Sequence, residues 1–138
     1  MANYKKESAL LAYNEDIEKA GVRDWVTSHT SFMKPLHRYR GYLVMQEGSI
    51  SFSGEEKDTI TPHLLTIPIG NITDVHHGFD DTYRRSDDRA IGFLRPLRIT
   101  FRENGSHKII YLWVGFRRLL RTSKNHQWFE MLTSMMDR

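Results

Sequence analysis

The chain has 138 residues, of which 39% are hydrophobic and 27% charged, and this composition suits one globular domain and excludes a disordered chain. It contains no cysteine, which excludes disulfide scaffolds, thiolate zinc sites, iron–sulfur clusters and cysteine nucleophiles. The net charge of +3 is uneven, because residues 95–138 hold nine Lys and Arg against three Asp and Glu. This basic third either attracts acidic or phosphate-rich partners or serves as a solvated surface.

The sequence carries no signal for a membrane or for export. No apolar run approaches the roughly 18 residues that a membrane-spanning helix needs. The first residues, Met-Ala-Asn-Tyr-Lys-Lys-Glu, lack the apolar segment of an export signal. We therefore expect a cytoplasmic protein, with peripheral contact to a membrane left open.

The N-terminal segment predicts a helix over residues 6–20. Leu10, Tyr13 and Ile17 recur at three- and four-residue spacing, and Gly21 follows as a natural helix end. The apolar stripe is thin, so the helix must dock to persist, either on its own domain or on a partner.

Seven later stretches predict β-strands, because they are rich in β-branched and aromatic residues or alternate between apolar and polar positions. They are residues 25–33, 38–46, 49–53, 63–69, 72–78, 97–102 and 108–114. Asn104-Gly105 predicts a tight hairpin turn. Residues 79–95 form the longest stretch without periodicity, and a loop of this length is often functional.

A second helix is predicted over residues 123–136, with Ser123 as its N-cap. Apolar residues recur along one side at three- and four-residue spacing, which favours a helix that closes one end of a sheet. They are Trp128, Met131, Leu132, Met135 and Met136.

Three stretches together resemble the pleckstrin-homology-like (PH-like) superfamily, which includes GRAM and bacterial PH-like domains. Residues 41–53 resemble the family hairpin, and residues 67–75 (Ile-Pro-Ile-Gly-Asn-Ile-Thr-Asp-Val) resemble a GRAM-type pattern. Trp128 matches the tryptophan of the PH capping helix. The resemblance covers residues 25–137 and implies a bent, seven-stranded antiparallel sheet capped by a C-terminal helix.

The expected fold class is therefore mainly β, a seven-stranded antiparallel PH-like sandwich or barrel with a C-terminal helix and an extra N-terminal helix. We expect residues 1–22 to form a helical extension and residues 23–138 to form the PH-like domain. An exposed edge strand of such a sheet could pair with a second copy.

The resemblance also implies a candidate anion site, because phosphoinositide-binding members use a Lys followed by a basic residue, any residue and Arg. Lys34 followed by Arg38-Tyr39-Arg40 matches these residue types across a short gap. Arg38 and Arg40 fall on one face of a strand and could reach one phosphate. The alternative is a basic edge that blunts strand pairing.

A second basic cluster lies between the last strand and the final helix. It could bind an anionic headgroup or an acidic partner, or it is a polar loop. Its candidate ligand-binding residues are Arg117, Arg118 and Arg121.

Other classes of site have weaker support. Asp74 and His76 share a strand face, but a third metal ligand is not identifiable. Arg98 and Arg102, with Thr100, share one strand face beside Tyr111 and Trp113 and could suit single-stranded nucleic acid, although no recognition motif supports it. No nucleophile elbow, phosphate-binding glycine loop or HExxH motif occurs, so we expect no enzyme and no cofactor.

The function expected from the sequence is therefore a binding or adaptor module. Docking to a protein partner is the leading interpretation, and binding of a phosphoinositide or another acidic lipid headgroup is the alternative. Binding of single-stranded nucleic acid ranks third.

Overall fold

Seven antiparallel strands form one curled sheet in the computed structural model, which describes residues 5–19, 35–84, 94–117 and 122–137. The elements in chain order are β1 (Lys5–Tyr13), α1 (Asn14–Glu18), β2 (Tyr39–Gln46), β3 (Ser49–Glu56), β4 (Pro62–Pro68), a 3-10 turn (Ile69–Asn71), β5 (Ile72–His77), β6 (Leu97–Glu103), β7 (Ser106–Val114) and α2 (Asn125–Met136). No helix among these residues is long and apolar enough to cross a membrane.

The strand order is β4-β3-β2-β1-β7-β6-β5, so the chain makes two meanders that join where β1 pairs with β7. Only the three residues Ile69–Asn71 connect β4 to β5, the two edge strands. The edges therefore approach each other at that end, and the sheet curls into a half-barrel. The mainly β fold, with seven antiparallel strands, a C-terminal helix and a short N-terminal helix, is confirmed.

The N-terminal segment corrects the sequence prediction. Residues 6–13, predicted as the first part of a helix, belong to β1 at the centre of the sheet, and the helix in the described residues is confined to Asn14–Glu18. The strand predicted over residues 25–33 and the boundary predicted at residues 22 and 23 lie outside the described residues. The seventh strand is thus β1 at the start of the chain.

The remaining strands lie where the sequence predicted them, within a few residues. The hairpin turn between β6 and β7 is confirmed, with φ of 52° at Asn104 and 80° at Gly105. α2 begins at Asn125 after an N-cap at Lys124, so the N-cap predicted at Ser123 is wrong by one residue.

The concave side of the half-barrel holds the main hydrophobic core, and α2 packs across it. Trp128 and Leu132 of α2 are fully buried, as the apolar stripe predicted, and the methionines of the stripe pack around them. A second cluster covers the other face of β1 and β7. Its buried members are Ala12, Ile17, Leu36, Tyr83, Tyr111 and Trp113.

Asn125 joins the start of α2 to the sheet. Its Oδ1 accepts a hydrogen bond from the backbone N–H of Val114 at 2.7 Å, and its Nδ2 donates to the carbonyls of Arg95 and Leu112 at 2.8 and 3.2 Å. Each of these backbone groups would otherwise need another partner in a buried site. Asn125 therefore fixes the position of the helix over the core.

Ile60, in the turn between β3 and β4, has a φ of 58° and is 62% exposed. A left-handed conformation costs a residue with a Cβ about 1–2 kcal/mol, whereas glycine adopts it freely. Glycine loses more conformational entropy on folding than isoleucine, and this loss offsets part of the gain from relieving the strain. We therefore expect Ile60→Gly to raise the free energy of unfolding by about 0.5–1 kcal/mol. Urea denaturation measures the change. Ile60→Val keeps the strained backbone and should give no gain in stability. A lower urea midpoint for Ile60→Gly than for the original chain would contradict this explanation.

Candidate functional site

The two described arginines of the predicted anion site are both paired with carboxylates of the same chain. Arg38 contacts Asp16 at 2.9 Å and Glu56 at 3.4 Å, and Arg40 contacts Glu55 at 3.2 Å. The hydrogen bond from Arg38 to Asp16 is the main reason why the pKa of that guanidinium is raised. Three carboxylates thus surround two guanidiniums, and the local charge is not positive. Lys34 lies outside the described residues.

The second basic cluster is only partly described. Arg117 is exposed and forms an isolated bridge with Thr122, just beyond β7. It has no carboxylate partner among the described residues. Arg118 and Arg121 lie outside the described part of the chain, so the structure does not show whether the cluster converges.

A groove of about 590 Å³ lies on the convex face of β1, β2 and β3. The side chains that line it alternate along the strands with those that face the core. The lining residues are Ser8, Ala9, Leu10, Arg40, Gly41, Tyr42, Ser53, Gly54, Glu55, Trp113 and Phe116. Mostly apolar walls with a few polar groups are typical of a ligand site.

Gly41 and Gly54 contribute bare backbone to the groove. They are opposite each other in the β2–β3 register. A Cβ at Gly41 would lie 2.2 Å from the carbonyl oxygen of Ser53, and one at Gly54 would lie 2.1 Å from that of Arg40. The two strands therefore approach closely at this point, which only a pair of glycines allows.

The charged groups at the groove mostly interact with other side chains of the same chain. Arg40 and Glu55 are paired across β2 and β3 and lie on one wall. The Lys6 ammonium lies 4.8 Å from the ring centroid of Tyr42, within the range of a cation–π interaction. Tyr42 is 51% exposed, so part of its ring remains accessible.

The apolar surface of the groove continues toward the edge of the sheet. Ser53 is opposite Tyr42 on one side and opposite Leu64 on the other, so the three residues form one row on the convex face. Leu64 is 75% exposed. Two of the large apolar residues that are exposed in the described part of the chain therefore lie in one row, separated by a small serine.

The β4 edge beyond this row is poorly suited to pairing. The register places Pro62, Leu64, Thr66 and Pro68 at alternate positions of β4, so their backbone groups face the same side of the strand. Because proline has no N–H, only Leu64 and Thr66 can donate a backbone hydrogen bond from that edge. Two prolines thus blunt the β4 edge, one of the two sheet edges at which pairing with a second copy was considered.

An aromatic cluster packs on the main core where β1 ends and β2 and β4 begin. The Tyr13 hydroxyl is 2.8 Å from His63 Nε2, and the His63 ring stacks on Tyr39 with centroids 4.1 Å apart. Burial raises the pKa of Tyr13 to about 12, and burial together with Arg38 lowers the pKa of His63. Both groups are therefore neutral at pH 7.

Three of the residues considered for nucleic-acid binding have structural roles, and Arg102 is exposed on β6. Tyr111 and Trp113 are 1% exposed, so their ring faces are not available to a base. Arg98 pairs with Asp74 and Asp80 at 3.1 and 3.0 Å.

Asp80 is the central acceptor of this network of hydrogen bonds. Burial alone would raise the pKa of its carboxyl, but hydrogen bonds from the Tyr83 N–H, the Tyr111 hydroxyl and Arg98 hold the pKa below its usual range. Because Asp74 accepts a hydrogen bond from Arg98, its carboxylate is not free to bind a metal ion together with His76. Within the described ranges, no three His, Asp or Glu residues are grouped to hold a metal ion.

No family model, curated protein or solved structure matches the chain. The sequence indicates Arg38 and Arg40 as a candidate anion site and does not indicate the groove. The signal that could have found it is the pair of glycines near the ends of two alternating strands. Glycine inside a strand often marks a close backbone approach.

Proposed function

We propose that this chain is a non-enzymatic, PH-like binding or adaptor domain that docks a segment of a protein partner in the convex groove. The groove lined by Leu10, Tyr42 and Phe116 is the observation that carries this proposal. Its volume of about 590 Å³ lies within the range of roughly 300–1,000 Å³ that ligand sites occupy. That space accommodates a few side chains of an extended segment.

The accessible aromatic ring supports a protein partner. Tyrosine is enriched among the residues that dominate protein interfaces, because its large ring is buried at little entropic cost. Tyr42 and Leu64 flank Ser53 and leave a shallow depression between them. A side chain of the partner that packs over Ser53 would contact both.

The charge arrangement favours this function over binding of a phosphoinositide headgroup. A phosphate at Arg38 and Arg40 would have to displace Asp16, Glu56 and Glu55 from the two guanidiniums. The displaced carboxylates would remain nearby and repel the phosphate. A lipid site at these residues therefore needs further basic groups.

Peptides selected from a random phage-displayed library against the full chain test the proposal. We expect enriched peptides to lose at least about tenfold in affinity for Ser53→Tyr, which fills the groove with a neutral side chain. Ser51→Tyr is the matched control, because Ser51 lies two residues away on the same strand and face but does not line the groove. Peptides should bind it as they bind the original chain. Absence of enriched peptides, or equal binding to both variants, would overturn the proposal.

Vesicles test the lipid alternative directly. The proposal predicts that vesicles with phosphoinositide bind no more tightly than phosphatidylserine vesicles of equal charge. A phosphoinositide preference that Arg38→Ala combined with Arg40→Ala removes would instead assign the function to lipid binding.

A further inference from the structure

We infer that the groove accepts an acidic peptide segment, in which a carboxylate lies one or two residues from an apolar anchor. This inference rests on the proposed function and specifies the chemistry of the partner. The observation that carries it is the charge at the rim of the groove.

The rim is positively charged. Arg40 lines the groove and Lys6 lies beside it, against Glu55 as the acidic residue of the lining. Arg40 is neutralised by Glu55. Lys6 has no carboxylate partner among the described residues, so the rim retains one uncompensated positive charge. A partner of complementary charge is therefore acidic.

The position of Lys6 determines how far the acidic residue of the peptide lies from its apolar anchor. The Lys6 ammonium is held over the Tyr42 ring, 4.8 Å from its centroid. Tyr42 and Lys6 belong to neighbouring strands and both face the convex side. An apolar side chain seated against Tyr42 thus has the ammonium beside it. Since an extended peptide advances about 3.3 Å per residue, the carboxylate that reaches Lys6 belongs to a residue one or two positions from the anchor.

A basic or purely apolar segment fits less well. A basic residue at the same position would meet Lys6 without a compensating acid. A purely apolar segment would cover Lys6 and lower its hydration without supplying a partner, which costs free energy.

The experiment uses the peptides selected against the full chain and counts the charges that flank their apolar residues. We expect Asp and Glu to exceed Lys and Arg within two residues of the anchor. The affinity of a labelled selected peptide should fall about tenfold for Lys6→Glu, since the change removes an attraction and adds a repulsion. Lys57→Glu, an equal change of charge on the β3–β4 turn away from the groove lining, should leave the affinity within about twofold.

The two proposals fail in different ways. If selected peptides bind the groove without an excess of acidic residues, or if Lys6→Glu and Lys57→Glu have equal effects, the acidic partner is wrong and the docking groove stands. If no peptide is sensitive to Ser53→Tyr, the docking groove itself is wrong. Vesicles of phosphatidylserine that bind in a Lys6-dependent manner would assign the rim to a membrane surface and overturn the acidic-peptide inference.

Discussion

Replacing Trp128 by alanine is expected to lower the free energy of unfolding by about 3–5 kcal/mol, the usual cost of removing a large buried aromatic side chain. Trp128 is fully buried in the main core and is the largest side chain by which α2 covers the half-barrel. Its loss leaves a cavity between the helix and the sheet. Chemical denaturation with two-state analysis measures the change.

Two further variants control for effects on the helix itself. Gln127→Ala changes the neighbouring exposed residue and should alter stability by less than about 0.5 kcal/mol. The indole N–H of Trp128 has no hydrogen-bond partner among the described residues. Trp128→Phe keeps an aromatic ring and removes this buried donor, so its loss should be smaller than that of Trp128→Ala. Equal stability of the original chain and Trp128→Ala would show that α2 does not cover the core.

Gly54→Ala is expected to lower the free energy of unfolding by about 3 kcal/mol or more, at the upper end of the usual cost of overpacking. The added Cβ would lie 2.1 Å from the Arg40 carbonyl oxygen and 2.9 Å from the Gly41 Cα, both of them backbone atoms. Neither can move without separating β2 from β3. The same variant should also weaken peptide binding, because these strands form the floor of the groove.

Gly70→Ala is the matched control for this substitution. Gly70 lies in the turn between β4 and β5, and a Cβ there would meet no atom within 4 Å. The free energy of unfolding of Gly70→Ala should differ from that of the original chain by less than about 0.5 kcal/mol. A similar loss for both variants would mean that the effect of Gly54→Ala comes from the conformational freedom of glycine and not from the contact between strands.

Strands with one covered face can be predicted from their alternation. Both β1 and β7 are covered on two faces, but only β7 is predicted as a strand, since the Asn104-Gly105 turn marks its hairpin with β6. In β3 the apolar residues Ile50 and Phe52 alternate with serines, which makes the period of two visible. In β1, Leu11 faces the main core while Ala12 packs in the second cluster. Both faces are apolar and no turn motif precedes β1, so the alternation disappears and the three- and four-residue spacing of Leu10, Tyr13 and Ile17 fits a helix.

The second cluster itself depends on contacts that are distant in sequence. Tyr83 lies in the stretch after β5 that the sequence predicts as a long loop without periodicity. It is fully buried, and its hydroxyl donates to the carbonyl of Leu36 at 3.0 Å. The local sequence shows charged neighbours, whereas the contact that buries Tyr83 comes from a residue 47 positions away.

The candidate site could be predicted only in part, for the same reason. Arg40 lies at the start of β2 as the sequence predicts, Arg38 immediately precedes the strand, and both side chains are partly exposed. Their partners are Asp16, Glu55 and Glu56 on other elements, and only the strand register brings these carboxylates to the guanidiniums. The facing glycines of the groove likewise become a pair only once β2 and β3 are aligned.

The most direct test of the docking groove is the footprint of a selected peptide, measured from the amide chemical shifts of the full chain during titration. The account predicts that the largest changes fall on residues 8–10, 40–42 and 53–55, which lie together on the convex face of β1, β2 and β3. Changes centred instead on Tyr13, Tyr39 and His63 in the aromatic cluster, or on α2, would contradict the docking groove.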